Sequence, residues 1–169
     1  MKNIVLIGMP SCGKSTVGKL LAERLGVRFF DCDSEAEREC GMTVSEIFGK
    51  RGEEYFRKLE TEILGRLAKE SSCVISTGGG CVERPENMQA VSGCTVVFLN
   101  RSLEDICRDA DISSRPLLAD GVQRIREIYS RRIGLYEKYC DVEIQNNVSP
   151  QAAAEKIIAE VKKHENNGD

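Results

Sequence analysis

The run Gly8-Met9-Pro10-Ser11-Cys12-Gly13-Lys14-Ser15-Thr16 constrains what this chain can fold into more than any other feature. It fits G-x-x-x-x-G-K-[ST] and stands in the context that pattern needs. Before it lies a short apolar run, residues 3–7, that suits a buried strand. After it come Val17, Leu20, Leu21 and Leu25 at helical spacing, with Gly26 as a stop. The glycines let the backbone turn tightly, so that several N–H groups converge on phosphate oxygens. The helix start adds a favourable dipole. In such a loop Lys14 reaches the β- and γ-phosphates and the Ser15 hydroxyl ligates Mg²⁺, while Gly8, Ser11, Cys12, Gly13 and Thr16 complete the nucleotide cradle. ATP or GTP is the expected ligand, and the guanine-specific Asn-Lys-x-Asp run is absent.

The rest of the chain continues the alternation of strand and helix. Segments 27–31, 73–77, 95–100 and a weaker 141–145 read as further strands. Helical text covers 34–70 with breaks near Gly41 and Gly49, then 86–91, 102–108 and 122–138. Pro150 opens a last helix to about Lys163, with a frayed end after it. Residues 109–121 are polar and read as a loop. This order predicts an α/β fold, a parallel sheet with helices on both faces. No repeat, linker or low-complexity stretch divides the 169 residues, so one domain is expected.

Composition removes several classes of function. The 24 basic and 27 acidic residues nearly balance, which leaves no overall field for nucleic acid or an anionic membrane. No apolar run approaches the roughly 18 residues of a membrane helix. The first ten residues are too soon interrupted to read as a signal peptide. Eight cysteines at irregular spacing, without a Cys-x-x-Cys pair and with His164 the only histidine, read as reduced thiols in a cytoplasmic protein. Cys12 has two readings. Near a helix N-terminus and Lys14 its thiol is activated, so that its modification blocks ATP, or it is an inert buried thiol.

The acceptor side is read from polar residues at strand ends and on helices. Asp31-Cys32-Asp33 closes the second strand, and alternation points both carboxylates to one side, toward the ligand crevice. One serves Mg²⁺ through water and the other accepts a hydrogen bond or proton from an attacking hydroxyl, unless Asp31 merely caps the next helix. Arg57 and Glu60 share a helix face, where a glutamate can hold an arginine fork for a carboxylate or form a solvated pair. Gly78-Gly79-Gly80 follows the third strand and lets backbone approach a ligand, or is an ordinary turn. Arg115 in the polar loop can neutralise transition-state charge, and Arg131 or Arg132 can grip an anionic acceptor; surface charge is the plainer reading of all three.

Taken together, D-x-D, R-x-x-E, the triple glycine, R-P-L-L and R-x-x-x-Y in this order resemble shikimate kinase from Gly8 to Pro150. The resemblance implies a three-layer, nucleoside-monophosphate-kinase-like fold with a five-stranded parallel sheet. It also implies a shikimate-binding helical region at about 33–61 and a mobile lid at about 109–120. The implied reaction is phosphorylation of the 3-hydroxyl of shikimate by ATP and Mg²⁺ on the way to chorismate and the aromatic amino acids, in a monomer. By the resemblance Lys14 and Ser15 serve phosphates and metal, and Asp31 lies near the metal. Asp33 contacts the shikimate hydroxyls, Arg57 and Arg132 hold its carboxylate, and Glu60 braces Arg57. Gly78, Gly79 and Gly80 touch the substrate. Arg115 is the lid arginine, Arg108 packs on adenine, and Pro150 with Asn146 forms the adenine-side loop. Ser11 stands where many relatives carry glycine, Gly134 replaces a usual proline, and residues 145–150 lack arginines common there. Two rival functions are a kinase for another small acceptor, such as gluconate or a nucleoside monophosphate, and a non-catalytic nucleotide-binding module. An acceptor screen separates the first, and the presence of Lys14, Ser15, Asp33 and Arg115 counts against the second.

Overall fold

Three nearly continuous apolar runs form the middle of a five-stranded sheet. A computed structural model describes residues 1–109 and 121–167, with backbone alone for 165–167. The elements in chain order are β1 (Ile4–Ile7), α1 (Lys14–Leu25), β2 (Arg28–Asp31), α2 (Cys32–Cys40), α3 (Val44–Arg51), α4 (Glu53–Leu67), β3 (Cys73–Ser76), a single 3₁₀ turn (Cys81–Glu83), α5 (Pro85–Ala90), β4 (Thr95–Asn100), α6 (Leu103–Asp109), α7 (Val122–Tyr139), β5 (Val142–Gln145) and α8 (Pro150–Asn167). The strands lie in the order β2-β3-β1-β4-β5, all parallel. β1 and β3 are buried throughout, and β4 nearly so, as expected of strands covered on both faces. β2 and β5 are edges and carry more exposed residues. On one side α1 packs against α8, and on the other α4, α5 and α7 gather around the 3₁₀ turn.

Register sets the site. Leu6 of β1 pairs with Ser76 of β3, and Ser76 pairs with Asp31 of β2. The carboxyl ends of these three strands are therefore level, and the loops leaving them converge.

Several sequence expectations shift. The second strand ends at Asp31, not at Asp33, because the Asp31 side chain caps α2 by accepting from the Asp33 and Ser34 N–H groups. The helical text of 34–70 breaks at Gly41 and Gly52, while Gly49 lies inside α3. α3 tolerates that glycine because a Thr43–Glu46 capping box secures its start. α8 continues through Asn167, past the end expected near Lys163. All eight cysteines are free thiols. Among the described residues no helix is long and apolar enough to cross a membrane.

Candidate active site

The phosphate loop joins β1 to α1 through backbone that favours glycine at three points: Gly8 (φ 146°), Ser11 (φ 63°) and Gly13 (φ 95°). Ser11 is thus a side-chain-bearing residue in left-handed conformation. Lys14 is buried, and its Nζ donates to the carbonyls of Gly8 and Met9, each at 2.9 Å. Ser15 Oγ donates to Asp31 Oδ2 at 2.5 Å and lies 3.4 Å from Ser76 Oγ. A cleft of about 440 Å³ opens here, lined among others by Lys14, Ser15, Thr16, Asp31, Asp33 and Gly79. Both carboxylates face it, but by a different route from strand alternation: Asp31 ends β2 and Asp33 sits in the first turn of α2.

A second cleft of about 400 Å³ shares Gly13, Thr16 and Arg101 with the first. Arg108, Asn146, Val148 and Pro150 line it, so the expected adenine-side residues do come together. Asn146 Nδ2 donates to the Cys12 carbonyl at 2.6 Å, which fastens the phosphate loop to the chain after β5. Cys12 itself is fully buried, its Sγ packed where a Cβ on Gly8 would fall 2.9 Å away. That burial agrees with the inert-thiol reading: a reagent does not reach this sulfur without displacing the loop. Arg115 and the lid expected at about 109–120 lie outside the described residues, apart from Asp109 at the end of α6.

On the acceptor side the solvated-pair reading of Arg57 and Glu60 does not hold. Both are buried, and Arg57 Nη1 donates to Glu60 Oε2 at 2.8 Å. Burial pushes the Glu60 carboxyl above its ordinary pKa, against the pull of Arg57 and Arg132. Burial also opposes the Arg57 charge, but Glu60 and Glu53 more than offset it and its pKa is raised. The triple glycine makes room for this pair. A Cβ on Gly78 would fall 2.2 Å from Glu60 Oε1, and one on Gly80 would fall 2.5 Å from Arg57 Nη2. Gly79 lies against Pro10, and its carbonyl accepts the Tyr136 hydroxyl at 2.6 Å. Gly78→Ala is accordingly expected to destabilise the fold by about 1–3 kcal/mol, as overpacking does. Urea denaturation checks this, and an unchanged midpoint contradicts it.

Arg132 is 1% exposed, so surface charge is not its role. Its Nη2 donates to Glu83 Oε2 at 2.7 Å, and Arg131 Nε donates to Glu83 Oε1 at 2.5 Å. Glu83 went unnoticed in the sequence, where nothing marks a glutamate in a 3₁₀ turn as the partner of a distant helix. Desolvation works against its charge, yet Arg132 and Arg131 hold its carboxyl below the ordinary range. Because the folded pKa is the lower one, Glu83 adds stability above about pH 4.5, the value it leaves, and loses it as pH falls through the folded value. Glu83→Gln should therefore destabilise the protein near neutral pH, with the gap closing in acid; denaturation at several pH values tests this, and a pH-independent gap would refute it. Glu60 Oε1 and Arg132 Nε are buried without a hydrogen-bond partner among the described residues. The arginines and glutamates act on one another electrostatically, since Arg132 influences Glu60 and Glu83 influences Arg57.

Comparisons with known proteins point one way. The family model described as shikimate kinase matches residues 10–162. A shikimate kinase from Caldicellulosiruptor bescii is 44% identical over 164 residues, 94% of this chain and 95% of the relative. One from Clostridium botulinum (strain Eklund 17B / Type B) is 39% identical over 165 residues, 96% of this chain and 97% of the relative. Among solved structures, shikimate kinase from Acinetobacter baumannii in complex with shikimate superposes with a TM-score of 0.92 at 34% identity, covering 96% of this chain and 94% of that one.

Proposed function

The chain belongs to the shikimate kinase family, and from that membership we infer that it transfers the γ-phosphoryl group of ATP to the 3-hydroxyl of shikimate, a step toward chorismate and the aromatic amino acids. The observation that carries this reading is the pair of buried arginines, Arg57 and Arg132, each set by its own glutamate beside the turn that faces the phosphate loop. Two guanidinium forks suit a carboxylate, and shikimate is a carboxylate bearing hydroxyls. The family membership and the A. baumannii complex with shikimate support the same acceptor.

In this reading Arg57 and Arg132 hold the shikimate carboxylate, with Glu60 and Glu83 fixing their forks. Gly78, Gly79 and Gly80 form the floor on which the ring rests. Asp33 accepts a hydrogen bond from the 3-hydroxyl and aims an oxygen lone pair at the γ-phosphorus. Lys14 exchanges its two loop carbonyls for phosphate oxygens, so the charge that builds during transfer meets a cation already in place. Ser15, Asp31 and Ser76 present hard oxygen donors within a few ångströms of one another, a set that fits Mg²⁺. Ser15 would hold the ion directly and Asp31 through water, and the bound ion supplies charge neutralisation at the phosphates. Arg108, Asn146 and Pro150 flank the base, and Arg115 contributes a further cation from outside the described residues. The proposal includes one kinase domain over residues 1–169, working as a monomer in the cytoplasm.

A coupled ADP-release assay with MgATP tests the reading. Turnover should depend on shikimate, with gluconate as an inert control. ATP binding without turnover on shikimate would leave the phosphate loop standing and remove the acceptor. Within the same reaction Asp33→Asn should lower kcat by about 10²-fold while shikimate still binds, the size of one lost proton acceptor. Equal loss of binding and turnover would reduce Asp33 to a binding contact.

A further inference from the structure

Arg101 follows β4 at its carboxyl end, and neither the phosphate-loop pattern nor the acceptor chemistry calls for it. Its side chain is 22% exposed and lines both clefts, so it stands at the wall between them. Nη1 donates to the carbonyl of Ser11 at 3.2 Å. Nη2 pairs with the carboxylate of Asp109, which lines the phosphate cleft at the end of α6. Ser11 is the residue of the loop that takes a positive φ, 63°, while carrying a Cβ.

We infer that Arg101 is a positioning residue for the nucleotide: by gripping the Ser11 carbonyl it holds the left-handed turn that points the loop N–H groups at the phosphates. The inference rests on the nucleotide reading of the site. Three physical points support it. A left-handed residue with a side chain relaxes toward other backbone regions unless its surroundings fix it. A guanidinium fork reaches two acceptors on different elements at once, which a lysine point charge does not. The same fork, together with Arg108, offsets the charge of Asp109, a carboxylate lining the cleft that would repel a triphosphate.

The test is a double-substitution cycle read by titration with MgADP and by steady-state kinetics. Arg101→Ala should weaken MgADP about tenfold and raise KM for ATP to match, the scale of one lost charge-assisted hydrogen bond. KM for shikimate should stay within about twofold, because Arg101 touches neither acceptor arginine. In a Ser11→Gly background the same arginine loss should cost less than about threefold, since glycine takes the left-handed turn unaided. A tenfold loss in both backgrounds would mean that Arg101 acts on the phosphates directly or by charge alone, which overturns the positioning role. No loss in either background, or an equal rise in KM for shikimate, overturns it as well. A wild-type protein that does not bind MgADP would overturn the nucleotide reading itself, a result distinct from the others.

Discussion

Lys14→Met should lower kcat by about 10³-fold, roughly 4 kcal/mol of transition-state stabilisation, as expected for removing one preorganised donor from a charge-building reaction. The geometry makes the loss specific. Lys14 is buried at the loop and already bonded to two carbonyls, Gly8 and Met9, so its position is fixed before ATP arrives. Methionine keeps most of the stem and removes only the charge and donors. The fold should survive, with the two carbonyls turning to solvent or to a neighbouring N–H. Stopped-flow or steady-state rates with saturating MgATP and shikimate give the number. A fall of less than tenfold would show that Lys14 binds substrate and transition state alike, since only differential binding raises kcat.

Arg132→Ala should cost about 10²- to 10³-fold in kcat/KM for shikimate, nearly all of it in KM, with KM for ATP unchanged. The magnitude follows from burial: Arg132 is shielded from water, so its bond to a carboxylate is little weakened by solvent. Its removal also leaves Glu83 with Arg131 alone, on the exposed side. Part of the loss will therefore appear as stability, and a thermal melt separates the two effects. Adding shikimate should raise the melting temperature of the parent protein and should do so much less for the variant. An unchanged KM for shikimate would place the acceptor carboxylate elsewhere and reopen the rival acceptors.

How much of this could be read from residues alone depends on how local each cause is. The phosphate loop was legible because motif, preceding strand and following helix are contiguous. Arg57 and Glu60 were legible as a pair because helical spacing sets them on one face. The end of β2 was not, because a period of two and the first turn of a capped helix predict the same side for Asp31 and Asp33. Both carboxylates line the cleft, Asp31 from the strand end and Asp33 from the helix that Asp31 caps. The burial of Arg132 was invisible, because its partner Glu83 comes from a turn far away in the chain. Gly49 misled for the opposite reason. A glycine in an exposed helix costs about 1 kcal/mol, which a good cap offsets, so it need not break anything. Arg101 had no local signature at all. Its meaning comes from Ser11 and Asp109, which only the fold brings to it.

The close fit between the glycine turn and α4 limits how this enzyme can be remade. Gly78 and Gly80 are small because Glu60 and Arg57 occupy the space their side chains would need. Large and small are therefore exchangeable only as a set. An engineer who shortens Arg57 and Glu60 to accept a neutral polyol opens a void, and alanines at 78 and 80 are the natural filling. Made one at a time, each of these changes either collides with a neighbour or leaves a hole. A library that varies the turn and the helix together should contain well-packed proteins with new acceptors, where single-site changes at the same positions return destabilised ones.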